Sequence, residues 1–258
     1  NEKFTNNFTL ANTYIKRVYG ATENSGNALQ DNYYGDRYAL TYTGNYNFNL
    51  DNSIVFGVER EDDKIGYNKD LTGQKDKHNH VVSKYFDLQS RITNNIFFTF
   101  GSRFDEHSIA GNEDSHRATF AYLFNDKSLK IKSSYGTGFR FPSLYEMFFV
   151  YAANSNSLGS VKAENSKSFD VGFEKFFADI NLTLEATYFN LEYDDVLEGW
   201  KTGISSGLAY TTQNMPGTVK SQGLELITKW YINNNLEIGL NYTYTSTYDG
   251  AEQDDPDK

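Results

Sequence analysis

The sequence predicts an all-β fold, an antiparallel transmembrane β-barrel of the outer-membrane kind, with about eleven strands in residues 1–258. Three observations predict it. From Tyr34 to Leu50 the even positions read Tyr38, Leu40, Tyr42, Gly44, Tyr46, Phe48 and Leu50, and the odd positions Arg37, Ala39, Thr41, Thr43, Asn45, Asn47 and Asn49. A strand turns successive side chains to opposite faces, so one face is apolar and the other polar. The run exceeds the usual globular strand of about 5 to 6 residues and suits a crossing of roughly 9 to 11, apolar toward lipid and polar toward the lumen. The second observation is that the pattern recurs along the chain. The third is that its connections alternate between very short and long, as bacterial barrels place them at the periplasmic and extracellular rims.

The elements follow in order. Phe8 and Leu10 open the series, and the Tyr34–Leu50 strand ends at a turn on Asp51 and Asn52. Ile54, Phe56 and Val58 alternate with Val55, Gly57 and Glu59, and the polar segment from Glu61 to His80 reads as a long loop. Val82, Phe86, Leu88 and Ile92 share a face up to Thr93-Asn94-Asn95. Ile96, Phe98, Phe100 and Phe104 then alternate with Thr99, Gly101, Arg103 and Asp105. Past a medium loop near Gly111, Ala118, Phe120, Tyr122 and Phe124 run into Asn125-Asp126-Lys127, from which Leu129, Ile131 and Tyr135 depart. Phe169, Val171, Phe173 and Phe177 descend to Ala178-Asp179, and Ile180, Leu182, Leu184, Ala186 and Tyr188 climb away. Leu224, Leu226, Trp230 and Ile232 end at Asn233-Asn234-Asn235, and Leu236, Ile238, Leu240, Tyr242, Tyr244 and Tyr248 return. Lys84 and Lys175 interrupt apolar faces only near strand ends, where each reaches an interface.

Composition fits this class. Aromatics reach 16 %, yet mean hydropathy is −0.63, because apolar residues are spread by alternation. The longest apolar run, Met147 to Ala153, is far too short for a membrane helix. The absence of cysteine excludes thiolate metal sites, Cys nucleophiles and disulfides. A net charge of −10 without a basic cluster argues against nucleic acid as a partner. Asn1 opens directly on strand-like sequence, so the chain reads as an internal fragment or a processed form.

Tyr135-Gly136-Thr137-Gly138-Phe139-Arg140-Phe141-Pro142-Ser143-Leu144-Tyr145-Glu146 carries the most specific signal. It resembles the Tyr-Gly-x-Gly-Phe-Arg-x-Pro-x-Leu-x-Glu segment of TonB-dependent outer-membrane receptors. Downstream, Glu164, Ser166 and Gly172-Phe173-Glu174 match the segment that opens the next strand of that family, without its prolines. Tyr188-Phe189-Asn190, Asp194-Asp195, Asn214, Gly223-Leu224-Glu225-Leu226 and Tyr242-Thr243-Tyr244 then follow in the family's order. The resemblance implies a structural role for Gly136, Gly138, Phe139, Arg140, Pro142, Leu144, Glu146, Glu164, Gly223 and Glu225. It also implies a partial barrel domain over 1–258, about half of a 22-stranded barrel, with the family's plug domain and coupling box absent.

Few constellations carry chemistry. His78 and His80, with Asp70 and Asp76, form a candidate metal pair in the long polar segment. The acidic cluster Glu252, Asp254, Asp255 and Asp257 offers carboxylate oxygens to Ca2+, though it lacks the Gly-punctuated spacing of a dedicated loop; no other cofactor is expected. Asp105, Glu106 and His107 stand where outer-rim proteases place acid and histidine pairs, but no second catalytic half accompanies them, and no enzymatic activity is expected. Between Phe141 and Asn165, Tyr145, Phe148, Phe149 and Tyr151 put large apolar groups in an extracellular loop, where a bound ligand, neighbouring loops or the plug must cover them.

Two functions from different classes follow. The resemblance implies a receptor for energy-coupled import of a scarce nutrient, a ferric siderophore, haem or cobalamin. Its partners would be outer-membrane lipid, that small molecule, and a TonB-type energy-coupling protein acting through the plug, in a Gram-negative cell. The alternative is a passive porin-like or structural barrel whose lumen stays open.

Overall fold

The computed structural model describes residues 3–20, 30–69, 73–124, 126–148, 161–204 and 207–250. They form β1 (Phe4–Gly20), β2 (Gln30–Asn47), β3 (Asn52–Lys69), β4 (Gly73–Arg91), β5 (Ile96–His107), β6 (Gly111–Leu123) and β7 (Leu129–Arg140). A short helix α1 (Leu144–Phe148) precedes β8 (Glu164–Phe177), β9 (Leu182–Asp194), β10 (Leu197–Ile204), β11 (Gly207–Asn214), β12 (Thr218–Asn233) and β13 (Leu236–Asp249). Eleven strands make one sheet in the order β1-β2-β3-β4-β5-β6-β7-β8-β9-β12-β13, every neighbouring pair antiparallel. The eleven segments read from alternation are these strands. β10 and β11 pair only with each other, because β9 passes its ladder directly to β12 through Asp194↔Thr218. No helix among the described residues is long and apolar enough to cross a membrane.

At the short-turn rim, small polar side chains fold back onto the backbone, the reason Asn, Asp and Thr suit such turns. Asn49 Oδ1 accepts the Asp51 N–H at 2.8 Å, and Thr93 Oγ1 accepts those of Asn95 and Ile96 at 3.2 Å. Asn233 Oδ1 accepts the Asn235 N–H at 2.9 Å, while Lys127 and Asn181 sit at φ 57° and 50°. Each turn is also tied to the next, by Arg91 N–H to Asp51 O at 2.8 Å, Leu123 N–H to Asn95 O at 2.8 Å and Phe176 N–H to Ser128 O at 2.7 Å.

Register fixes the two faces. Leu10, Leu40, Phe56, Phe100, Phe120 and Tyr135 fall on one side, and Leu10, Leu40 and Tyr135 are 83 %, 50 % and 48 % exposed to what lipid would cover. The other side is polar and internally paired: Lys130 with Glu174 at 2.7 Å, Lys132 with Glu185, Ser134 with Asp170, and Thr99 with Thr119 at 2.7 Å. Tyr85 lies flat across Gly57, where a Cβ would meet its ring at 2.4 Å, and donates or accepts a 2.7 Å hydrogen bond with Thr43. Phe189 covers Gly223 in the same manner, at 2.6 Å from a would-be Cβ. Among the described residues the buried hydrophobic ones, Leu144, Met147, Ala163 and Met215, all stand at the long-loop end.

Two readings of the sequence change. The Tyr34–Leu50 run is strand only to Asn47, since Phe48 N–H closes the turn onto Asn52 O at 2.9 Å and Leu50 sits in it, 93 % exposed. The Glu61–His80 segment is not a loop: β3 continues to Lys69 and β4 starts at Gly73, paired from Glu61↔Val81 to Lys69↔Gly73. Beyond the lipid both faces are wet, so the ladder persists where the alternation of hydropathy fades. Outward-facing ion pairs mark that border, Arg60 with Asp62 at 2.9 Å and Lys84 with Glu106 at 3.5 Å. At the opposite rim the ammonium of Lys175 donates to Ser128 Oγ at 2.6 Å.

Candidate functional site

The lumenal face of β2–β5 carries two arginine centres at and above that border. Arg37 on β2 donates from Nε and Nη2 to both oxygens of Asp63 at 2.6 and 2.9 Å, with Nη1 3.6 Å from Glu61. Arg103 on β5 donates from Nε to Asp105 at 3.0 Å and from Nη2 to Glu59 at 2.8 Å and Ser83 at 2.7 Å. Period-two alternation places Glu59, Glu61 and Asp63 on one face, and the β2–β3 register sets Arg37 directly opposite Asp63. Bidentate geometry of this kind holds guanidinium planes in one orientation.

His107 ends β5 beyond the last lipid-facing residue, Phe104. Its Nδ1 accepts the backbone N–H groups of Ile109 at 3.0 Å and Ala110 at 2.9 Å. A neutral ring so occupied carries its proton on Nε2, 2.7 Å from the Asn79 amide. Asn79 is therefore assigned with its oxygen toward the ring, which supplies the partner that oxygen otherwise lacks. Burial holds the His107 pKa below its ordinary value, against the nearby Asp63 charge and with that of His80. The ring packs against Phe141 at a tilt, with centroids 4.7 Å apart and planes at 47°.

Phe141 opens the segment that carries α1. Ser143 and Glu146 form a reciprocal capping box: the Glu146 N–H donates to Ser143 Oγ at 3.2 Å, and Glu146 Oε2 accepts the Ser143 N–H at 2.7 Å. Arg140 spans the base of this helix, with Nε to Glu164 at 2.5 Å and Nη1 to Glu146 at 3.1 Å. Glu164 also accepts the Leu197 N–H at 2.5 Å, so one guanidinium ties α1, β8 and the β10–β11 hairpin. Burial alone would raise Glu164, but the hydrogen bonds from Arg140 and Leu197 and the Arg140 charge outweigh it and leave the carboxyl lowered. Asn214 completes the tie, donating to Lys162 O at 3.0 Å and Asp195 O at 2.7 Å and accepting the Lys162 N–H at 2.8 Å. Leu144, Met147, Ala163 and Met215 are buried here with Pro142.

These elements enclose a concavity of about 700 Å3, lined by Arg37, Asp63, Asn79, Arg103, Phe141 and Tyr145 among others. A neighbouring one of about 780 Å3 continues past Tyr145 to Ile15, Arg17, Tyr33 and Ile65. Tyr145, 42 % exposed, lies 6.5 Å from the ring of Tyr33, and the Lys77 ammonium stands 4.6 Å over Phe148.

The structure distributes the sequence candidates unevenly. Tyr145 and Phe148 are carried by α1 against the lumenal wall, and Phe149 and Tyr151 lie outside the described residues, as do Asp70 and the cluster Glu252, Asp254, Asp255 and Asp257. Asp105 and His107 face the lumen in separate networks, whereas Glu106 points outward to Lys84, so strand alternation splits that trio. His78 and His80 are on strand β4 and not in a loop, opposite Lys64 and Asp62, and Asp76 is held by Lys64 at 3.0 Å. Among the described residues no group of three or more His, Asp or Glu is placed to hold a metal. Sequence reading missed Arg37, Glu61 and Asp63 as a centre, whose only signal is shared parity on paired strands. It also missed the β10–β11 hairpin.

A family model described as "TonB dependent receptor-like, beta-barrel" matches residues 1–258. The chain belongs to this family. As a receptor barrel it is 25 % identical over 190 residues to an uncharacterized TonB-dependent receptor of Haemophilus influenzae, covering 70 % of this chain and 53 % of that relative. It superposes on the copper transporter OprC with a TM-score of 0.77 at 13 % identity, covering 98 % of this chain and 45 % of the other. For the siderophore receptor PirA of Pseudomonas aeruginosa the TM-score is 0.70 at 18 % identity, covering 95 % and 51 %. For a mutant of the ferric enterobactin receptor PfeA of the same organism it is 0.74 at 18 %, covering 94 % and 41 %. At these identities the solved structures share the fold with this receptor barrel. The chain spans about half the length of these relatives.

Proposed function

We propose that this receptor barrel sits in the outer membrane of a Gram-negative bacterium and takes part in energy-coupled import of a scarce nutrient, a metal chelate or a cobalamin. The observation that carries this reading is the lumenal concavity of about 700 Å3 above the lipid border, where aromatic surface from Tyr145 and Phe141 meets guanidinium groups fixed by carboxylates. Sites for small molecules pair apolar walls with a few fixed polar groups in this way. A TonB-type protein would supply the energy through a plug domain. The chain's own residues would capture the ligand and exclude competitors.

The test is uptake by the full-length receptor in cells with and without a proton uncoupler. Energy-coupled import stops with the uncoupler while surface binding persists. A passive barrel would carry its solute equally in both conditions.

A further inference from the structure

Two residues above the Arg37–Asp63 pair the lumenal wall turns apolar. Ile15, Gly35 and Ile65 stand opposite one another on β1, β2 and β3, all at odd positions and so on the face that carries Arg37. These three residues and Tyr145 line both the concavity of about 700 Å3 and its neighbour of about 780 Å3, so the two spaces meet over Gly35. Tyr33, the next inward residue of β2, has its ring 6.5 Å from that of Tyr145. With neighbouring strands about 4.8 Å apart, the two isoleucine Cβ atoms stand roughly 10 Å from each other across bare backbone. That is a slot with two aliphatic walls, wide enough for one flat group.

The other strand glycines supply an independent observation. Glycine in a strand costs conformational entropy and offers nothing to pack against. Gly44, Gly57, Gly66 and Gly223 are each covered by a cross-strand ring, of Phe56, Tyr85, Tyr34 and Phe189 respectively. Gly35 has no such cover among the described residues: a Cβ there would meet only the Lys64 carbonyl oxygen, at 3.7 Å, an ordinary contact. Its backbone is plain strand, without a positive φ. Neither conformation nor packing on this wall requires glycine at this position. Close approach by a group from outside the wall does.

We infer that Gly35 is a specificity-determining position, at which the receptor accepts a metal chelate bearing an uncharged flat arm such as an aryl group. The arm lies over Gly35 between Ile15 and Ile65, against Tyr145, while the polar part of the chelate occupies the space beside Arg37 and Asp63. This assignment rests on the reading of the two concavities as the capture site.

The experiment uses the full-length receptor in detergent and two pairs of ferric chelates, one of trihydroxamates and one of tris-catecholates, titrated by fluorescence quenching. Within each pair one member carries a naphthyl arm and the other a methyl group. In whichever pair binds, the naphthyl member is expected to bind at least roughly tenfold tighter, the scale on which burial of a ring between apolar side chains contributes. Gly35→Leu should fill the slot and erase that preference while the methyl member binds as before, and Gly35→Ala should reduce the preference in part. Both replacements relieve a strand glycine, so insertion and heat stability should hold, and the alanine variant carries the test if the leucine variant fails to insert. No preference for the naphthyl arm in the unaltered receptor, or a preference undiminished in the variants, overturns the slot alone. Binding of neither pair removes the capture reading and this inference with it.

Discussion

Below the Arg60–Asp62 and Lys84–Glu106 pairs no hydrophobic residue is buried among the described residues: most large apolar side chains face outward, and the inner face carries polar pairs such as Lys130–Glu174, with a few aromatic rings such as Tyr85 and Phe189 laid over glycines. Above them the order reverses. Leu144, Met147, Ala163 and Met215 are buried as in a water-soluble protein, and Arg140, Asn214 and His107 tie loops together by side-chain hydrogen bonds. The lower region draws its stability from closed backbone ladders with lipid as outer solvent. The upper region depends on specific side chains in water. Perturbations that break one should therefore leave the other standing, and that separation can be tested.

The largest effect belongs to the lipid face. Phe100 lies midway along the outward row of β5, between Ile96 and Phe104, with Leu88 and Ala118 beside it. In the full-length barrel Phe100→Arg should cost roughly 2 to 4 kcal/mol of folding free energy in bilayers, the range for a midplane cation. Leu40→Arg should cost only about 0 to 1 kcal/mol, because Leu40 pairs with Arg60 at the border. Equal costs in urea titrations would mean the border is misplaced.

Second in size is ligand capture. Replacing Tyr145 and Phe148 by alanine removes aromatic surface beside the concavity without touching the strand ladders. Burial of such side chains contributes about 1.5 to 3 kcal/mol each when complete, so a loss of roughly tenfold or more in ligand affinity is expected, with insertion unchanged. If affinity is retained, the helix is packing material and capture occurs elsewhere.

A smaller effect is expected at the Arg140 brace. Its side chain is about half exposed, which limits each ion pair to the modest range of surface pairs, yet it serves two carboxylates at once. Arg140→Ala should loosen α1 and the β10–β11 hairpin by about 1 kcal/mol, seen as faster proteolysis of the outer rim, with Arg140→Lys intermediate because it loses the fork. Cleavage within the lipid-facing strands would show that the two regions are not separable.

How much of this was legible in the sequence follows the same division. Between lipid and lumen the period-two pattern is forced, so Phe98, Phe120 and Ile238 declare their strands. In β3 above Arg60 both faces are wet, and residues such as Asp62 and Lys64 look like loop although their ladder continues to Lys69. β10 and β11 are short and carry Gly199, Gly203 and Gly207, which erase any alternation. At the site, the Gly136–Glu146 motif was visible as a string, and the Ser143-x-x-Glu146 spacing is that of the capping box. That Arg37 and Asp63 meet depends on register between β2 and β3, which local spacing does not encode.

The smallest effect is also the most local, and it depends on pH. His107 is buried beyond the lipid border, and burial lowers its pKa below the usual value of about 6.5. A lowered histidine favours the neutral ring in the fold, so its stabilising contribution is complete above about pH 6.5 and is lost as pH falls through the depressed folded value. Protonation puts a hydrogen on Nδ1, which then can no longer accept the Ile109 and Ala110 N–H groups. Acidification should therefore release the turn between β5 and β6 and the Phe141 contact, while the lower ladders stay closed. Hydrogen exchange between about pH 7 and 5, corrected for intrinsic rates, should show lost protection at Ile109 and Ala110 and none at Phe100 or Thr119. His107→Gln should abolish the step, since glutamine has no proton to take up in this range. Protection lost at both places together would mean that belt and rim open as one unit; a step that survives in His107→Gln would assign the titration to another group.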